Sequence, residues 1–240
     1  MSETNTDRKN LVRERLEFVS IITSINTQFL DPSLTRITEN NGWTHPWKYF
    51  DALRNYLLLT CFDLLGQSDG FKDFQSWLNS SRTISERNVA LEKAENSSLL
   101  ESVRSVHADY LSVYGAKNSF KRFINEVLPS DVKEQLLFSV MIRKIDTIKN
   151  CEIGGIDEES KKIDFLYAMR NAFTHEGVNI GSPAGGVFPN HGAWINMDGV
   201  LKKGYEPIYW TQKSHIRIEH MVRDWPDVLI RTVNAGLANA

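Results

Sequence analysis

Hydrophobic residues recur at steps of three and four along most of the chain, which is the spacing of an amphipathic helix. Residues 46–66 are apolar almost all round in their second half, which predicts a central, buried helix that ends at Gly66. The same periodicity predicts further helices over residues 9–30, 71–78, 99–114, 119–128, 130–145, 157–177 and 215–233. The predicted fold class is therefore all-α, or mainly so.

Two stretches depart from this helical pattern. Residues 79–98 are the most polar part of the chain and predict either a mobile loop or a solvated helix. Residues 179–192 are rich in glycine and proline, so they suit neither a helix nor a central strand. Residues 193–197 and 206–212, which follow, predict a small β-hairpin ahead of the last helix.

No repeat and no clear linker divides the chain, so we expect a single domain over residues 1–240. Within it, residues 46–178 are expected to form the core of a helical bundle. Residues 179–240 are expected to carry the Gly/Pro loop, the hairpin and a C-terminal helix that is interrupted or kinked near Trp225-Pro226.

Composition narrows the function classes. With 240 residues, 41% of them hydrophobic, the chain can bury a real core without disulfides. Lys and Arg number 28 against 30 acidic residues, so the net charge of -2 supplies no general attraction for nucleic acid, and any RNA must be bound at a local site. Cys61 and Cys151 have no paired spacing, the N-terminus is polar, and no apolar run approaches about 18 residues. We therefore expect a cytoplasmic protein with no membrane association.

Arg170 is the most unusual residue of the chain. On the predicted helix it falls in the middle of an otherwise apolar stripe made by Ile163, Leu166, Tyr167 and Phe173. Because a guanidinium cannot lose its charge by deprotonation, Arg170 must meet a carboxylate, a phosphate or solvent trapped at an interface. The simplest partner is a structural one: Asp63 or Asp51 of the buried second helix.

Asn171 and His175 are four residues apart on the same helix, so they share one of its faces close to Gly177, where the helix is expected to end. Taken alone, His175 is also explained as a cation near a helix C-terminus, where the helix dipole favours it.

The segment Arg-Asn-Ala-Phe-Thr-His, residues 170–175, resembles the R-x4-6-H motif of the HEPN superfamily, in which Asn, Asp or His typically follows the arginine. The resemblance covers about residues 46–177 and assigns no subfamily. It implies a HEPN-like helical bundle, here with a small β-hairpin insertion before the C-terminal helix, and a homodimer. It also implies a metal-independent endoribonuclease, of the kind found in toxin–antitoxin, abortive-infection and CRISPR-associated systems.

The resemblance assigns catalytic roles to Arg170, Asn171 and His175. Cleavage without metal needs a base for the 2′-hydroxyl proton, an acid for the leaving 5′-oxygen, and positive charge at the phosphoryl oxygens. His175 would serve as base or acid, Arg170 would bind the scissile phosphate, and Asn171 would orient one of them. A two-fold dimer would bring two copies of each to one phosphate.

Lys161 and Lys162, at the start of the motif helix, are weaker candidates for substrate binding, since such pairs are more often an ordinary solvated face. We expect no cofactor. We also expect no metal site built from local ligands, because the histidines and cysteines form neither an HExxH nor a CxxC pattern.

Three hypotheses follow. The first is a HEPN-type endoribonuclease with RNA as its substrate and a homodimer as its active form; the resemblance also allows an antitoxin or another defence-system protein as partner. The second is a non-catalytic HEPN-like module for RNA binding or dimerisation that regulates a partner protein. The third is an unrelated helical scaffold in which Arg170 simply pairs with Asp63 inside one monomer.

Overall fold

The computed structural model describes residues 5–25, 48–68, 70, 73–94, 98–176 and 205–240. Their helices are α1 (Asn5–Ile25), α2 (Lys48–Leu65), α3 (Phe74–Asn79), α4 (Ile84–Ala94), α5 (Leu99–Tyr114), α6 (Ala116–Arg122), α7 (Ser130–Phe138), α8 (Glu159–Glu176) and α9 (Asp227–Asn239). A short 3-10 turn, Ser81–Thr83, precedes α4, and a π-helical turn, Phe123–Val127, follows α6.

Helix α2 lies at the centre of the main core, as its apolar pattern predicts. Leu58, Cys61 and Phe62 have no exposed surface, and α2 packs against α1, α6, α8 and α9. The chain turns at Gly66, where a Cβ would overlap the carbonyl oxygen of Ser119. Glycine at this position therefore lets the end of α2 lie directly against the backbone of α6.

Four antiparallel strands form one sheet beside the helices. They are β1 (Val140–Asp146), β2 (Cys151–Gly155), β3 (Tyr205–Lys213) and β4 (Ile216–Arg223), in the order β2-β1-β4-β3. The register places Arg143 of β1 opposite Glu219 of β4. The prediction of a mainly helical fold is confirmed for the described residues, whereas their β-structure is larger than the single hairpin that was expected.

The helix predicted over 130–145 is wrong in its second half. Helix α7 ends at Phe138, and the following Val140–Asp146 is a strand whose residues are mostly buried. Short apolar runs fit both periodicities, and β-branched residues such as Val140, Ile142 and Ile145 favour the strand once a pairing partner is present. Strand β2 was not predicted at all.

The prediction of a C-terminal helix over 215–233 is also wrong in part. Residues Ile216–Arg223 form β4, and the helix begins only at Asp227, after the cis peptide bond Trp225-Pro226. The alternation of IRIEHMVR suits a strand, which pairs with β1 and β3. His220 accordingly lies on a strand and not on the final helix.

One of the two strands predicted for the hairpin is confirmed. Residues 206–212 lie within β3, but β3 pairs with β4 across a turn at Ser214 and His215. The other predicted strand, 193–197, and the Gly/Pro segment 179–192 lie outside the described residues.

The polar stretch 79–98 contains helix α4, so the alternative of a solvated helix is confirmed there. Most of α4 is exposed, and Ala90 alone is buried among those of its residues whose burial the structure describes. Together with α3 and α5 it encloses a second, smaller core of Trp77, Ala90, Val106 and Tyr110, which we call the small cluster. The Trp77 Nε1 group donates a hydrogen bond to Glu86 Oε2 at 3.0 Å and so ties α3 to α4.

Of the helices that the structure describes, none combines the length and the apolar character that a bilayer crossing requires.

Candidate functional site

Arg170 lies on α8 among buried neighbours, as the apolar stripe predicts. Ile163 is 3% exposed and Leu166 is fully buried, while the Arg170 side chain keeps 22% of its surface exposed. Its Nε group donates a hydrogen bond of 2.7 Å to Asp63 Oδ2 on α2. Arg170 therefore has the carboxylate partner that a half-buried guanidinium needs.

Burial disfavours the charged form of the Asp63 carboxyl. The residue is 7% exposed, and its burial raises the pKa of the carboxyl to about 6, although Arg170 and Arg15 act in the opposite direction. Desolvation thus outweighs the attraction of two cations, and a substantial neutral fraction persists at mildly acidic pH.

Asn171 completes the arrangement around Arg170. Its Oδ1 atom accepts a hydrogen bond of 3.0 Å from Arg170 Nη1. Two groups on different sides of the guanidinium, the Asp63 carboxylate and the Asn171 amide, therefore fix its orientation. The structure brings together two of the three motif residues and adds Asp63 to them.

His175 lies within α8, four residues beyond Asn171, so the backbone places the two on one helix face. Its side chain lies outside the described part of the structure. The same holds for Asp51, the other carboxylate considered for Arg170.

Lys161 and Lys162 are not brought to this site. They lie in the first turn of α8, about 13 Å along the helix axis from Arg170. Lys161 is exposed, and Lys162 Nζ lies 3.7 Å from Asp157 Oδ1.

Arg170 and Asp63 line a half-open cleft of about 390 Å³, bounded by α1, α2, α5, α6 and α8. The same cleft is lined by Arg15 and by three aromatic side chains: Tyr56, Tyr110 and Tyr114. The hypothesis of a purely structural pair is favoured if Arg170 and Asp63 are sealed in the core of one monomer, far from any cleft. The pair forms within one chain, as that hypothesis predicts, but it lies at a cleft wall and is not sealed away from solvent.

Sequence reasoning had one signal for Asp63, namely a carboxylate inside an apolar run, and none for Arg15. Arg15 Nη1 donates a hydrogen bond of 2.7 Å to Thr60 Oγ1, a partner 45 positions away. A charged residue on an amphipathic surface helix is ordinary, so nothing in the local pattern marks it. Tyr110 and Tyr114 are one helical turn apart, a spacing that also describes core packing.

The buried Cys61 and the metal-ligating residue types give no second candidate site in the described ranges. Burial raises the pKa of the Cys61 thiol to about 12, so it stays protonated at neutral pH. Among the described residues no three His, Cys, Asp or Glu side chains are grouped closely enough to hold a metal ion.

No protein-family model, curated protein or solved structure matches this chain. The residues of the site therefore carry the evidence for function.

Proposed function

We propose that this protein is a metal-independent endoribonuclease of the HEPN type, and that it acts as a cytoplasmic homodimer in a toxin or antiviral defence system. The observation that carries the proposal is the environment of Arg170. It stands at the wall of a half-open cleft, held by Asp63 and Asn171, on the helix that carries His175 five residues further on.

A fixed arginine suits the chemistry because a preorganised charge costs no reorganisation when negative charge builds up on the phosphoryl oxygens. In the proposed reaction a base removes the 2′-hydroxyl proton and the 2′-oxygen attacks phosphorus. The 5′-oxygen then leaves with a proton from an acid, which yields a 2′,3′-cyclic phosphate and a 5′-hydroxyl. Arg170 binds the phosphate, and His175 residues from two subunits supply the base and the acid.

The cleavage test uses total RNA in the presence of a chelator. Wild-type protein is expected to cleave it and to leave 2′,3′-cyclic phosphate ends, while His175→Ala and Arg170→Ala are expected to be inactive. His215→Ala is the matched control, because His215 is exposed in the β3–β4 turn, away from the cleft. Intact RNA with the wild-type protein, or cleavage that survives His175→Ala, would refute the proposal.

The dimer is tested separately by sedimentation velocity. A homodimer is expected at the concentrations that give cleavage. Full activity of a strictly monomeric protein would contradict the proposed sharing of histidines between two subunits.

A second function is favoured by one specific observation, the 2.7 Å bond between Arg170 and Asp63, since a carboxylate partner weakens an arginine as a phosphate ligand. It is a non-catalytic HEPN-like module for RNA binding or dimerisation that regulates a partner protein, such as an antitoxin. In that case Arg170→Ala would disturb folding or dimerisation, while the wild-type protein would never cleave RNA.

A further inference from the structure

The cleft beside Arg170 contains a second arginine that the motif does not include. Arg15 of α1 is held by the 2.7 Å bond to Thr60 Oγ1, and Thr60 in turn donates to the carbonyl oxygen of Leu57. Arg15 and Arg170 both act electrostatically on Asp63. The lining of the cleft therefore contains two guanidinium groups and one carboxylate, and its net positive charge suits a phosphate group.

One wall of the same cleft is aromatic. Tyr110 is only 7% exposed, because the rings of Phe74, at 5.0 Å between ring centroids, and of Trp77, at 5.6 Å, pack on it, so it supports this wall and offers no free face. Tyr114 lies one helical turn further on, 5.5 Å from Tyr110. Tyrosine rings held rigidly at the edge of a charged groove are the usual platform on which a nucleic-acid base stacks.

Two side chains of the cleft lining have a buried oxygen atom without a hydrogen-bond partner among the described residues. Among the described residues, neither Asp63 Oδ1 nor Gln67 Oε1 has a hydrogen-bond partner, although both atoms are buried. Buried acceptors are normally satisfied, since each one left unpaired costs about 1–3 kcal/mol. The side chains of the cleft lining are therefore incompletely satisfied, although both atoms are shielded from a ligand in this conformation.

We propose that this cleft is a nucleotide subsite for single-stranded RNA, with the phosphate between Arg15 and Arg170 and the base against the aromatic wall at Tyr114. Its volume of about 390 Å³ falls within the range of about 300–1,000 Å³ that is typical of ligand clefts. Because stacking on these rings requires an unpaired base, the subsite selects single-stranded over duplex RNA. The assignment to RNA rests on the proposed function; the positive charge and the aromatic wall do not.

The subsite is tested by binding without cleavage. The His175→Ala protein in chelator is titrated against a short, fluorescently labelled single-stranded oligoribonucleotide, and the affinity is read from anisotropy. Adding Arg15→Gln is expected to weaken binding about tenfold, and adding Tyr114→Ala to weaken it by a similar factor. Adding Tyr114→Phe, which keeps the ring, is expected to change it less than about twofold.

Arg13→Gln is the matched control, since Arg13 lies on the same helix, is exposed, and does not line the cleft. Equal losses for Arg13→Gln and Arg15→Gln would mean diffuse electrostatic attraction and would overturn the proposal. Thermal unfolding followed by circular dichroism verifies that each variant is folded, and Arg15→Lys, which keeps the charge without the fork, is expected to recover part of the affinity.

Two further ligands test whether the subsite binds single-stranded RNA, duplex RNA or a free nucleotide. The same oligomer in a duplex is expected to bind at least about tenfold more weakly, and a free nucleoside monophosphate is expected to compete only at much higher concentration. Equal binding of the duplex, or competition by the monophosphate at the oligomer's own affinity, would overturn the assignment to single-stranded RNA.

Failure of the subsite and failure of the proposed nuclease activity give different results. Binding that depends on Arg15 and Tyr114, with RNA left intact by the wild-type protein, would retain the subsite and refute the nuclease. Cleavage by Arg15→Gln and Tyr114→Ala with unchanged KM would retain the nuclease and refute the subsite.

Discussion

Two arginine–carboxylate pairs of this chain resemble each other in geometry and differ in surroundings. Arg143 and Glu219 face each other across β1 and β4, joined at 2.8 Å, and both side chains are 3% exposed. Arg170 and Asp63 join α8 to α2 at 2.7 Å, but the arginine is 22% exposed and lines a cleft.

The neighbours of the two pairs differ as well. In the sheet, Arg217 Nη2 contacts Glu219 Oε1 at 2.8 Å, and Glu152 lies 3.6 Å from Arg143, so charges of both signs alternate around a central pair that is closed off from water. At the cleft, Asp63 faces two arginines, and one of its oxygens has no partner among the described residues. The first arrangement is complete within one chain, whereas the second is suited to receive a ligand.

The largest effect is expected from Arg143→Ala. Removing one member of a sealed pair leaves a buried charge behind, which costs about 3–5 kcal/mol in the free energy of unfolding; Arg217 should keep the loss near the lower end. Urea denaturation measures it. A loss below about 1 kcal/mol would show that the sheet pair is not sealed in solution.

Arg170→Ala is expected to reduce activity strongly and stability only slightly, the opposite of Arg143→Ala. The Asp63 carboxyl left behind is buried, but its pKa of about 6 lets it take up a proton, so the free energy of unfolding should fall by only about 1–2 kcal/mol. RNA cleavage should fall at least about 100-fold, as for other groups that stabilise charge in the transition state. The stability loss is read from denaturation, and the activity from initial cleavage rates of folded protein. If Arg170→Ala destabilised the fold as much as Arg143→Ala, the two pairs would be equivalent and the contrast would fail.

The pH dependence of stability should identify Asp63. Its pKa is raised to about 6 in the folded protein and lies near 4 in the unfolded chain, so the folded state binds this proton more tightly. Stability therefore falls as pH rises from about 4 to about 6, by about 2–3 kcal/mol from this group. Asp63→Asn does not titrate, so its stability relative to the wild-type protein should rise over that interval.

Asp73→Asn is the control for the pH experiment. A hydrogen bond from the Ser76 hydroxyl, together with one from the Ser76 amide, lowers the pKa of Asp73 in the folded protein. Its contribution is therefore present at neutral pH and is lost as the pH falls below about 4, the opposite sign to Asp63. Asparagine keeps the helix cap, so only the titration is removed. Parallel pH profiles for the two variants would contradict the assignment.

The smallest effect is expected at an exposed pair. Lys93 Nζ lies 3.0 Å from Asp109 Oδ2, with side chains 58% and 32% exposed. Lys93→Ala should change the free energy of unfolding by less than about 0.5 kcal/mol, because solvent and salt screen the attraction. Denaturation at low and high salt measures the contribution of this pair to stability. The three pairs then range from fully buried to largely exposed.

The sequence predicts the unusual members of the site better than their partners. Arg170 and Asp63 are each visible as a charge within an apolar stretch, and Asp63 was one of the two carboxylates expected for Arg170. Arg15 is not visible in this way, because its neighbours on α1 are an ordinary mixture of polar and apolar residues. Its role depends on the packing of α1 against α2, which no local pattern encodes.

The same limit applies to the fold. The long helices α2 and α8 follow their periodicity because many turns repeat the same signal. The sequence predicts helix at strands β1 and β4 because short segments of mixed apolar and polar residues fit both periodicities, and the neighbouring strand decides between them. Their pairing joins segments about 75 residues apart, a tertiary effect beyond the reach of a local window.

Tyr110 belongs both to the small cluster and to the cleft, and this links the site to local unfolding. The small cluster has few buried residues, so its helices open at a lower free energy than the main core does. Each opening removes one wall of the cleft while α2 and α8 stay folded. By thermodynamic linkage, a ligand that stacks on this wall must slow amide hydrogen exchange in α3, α4 and α5, even though most of their amides lie beyond its reach.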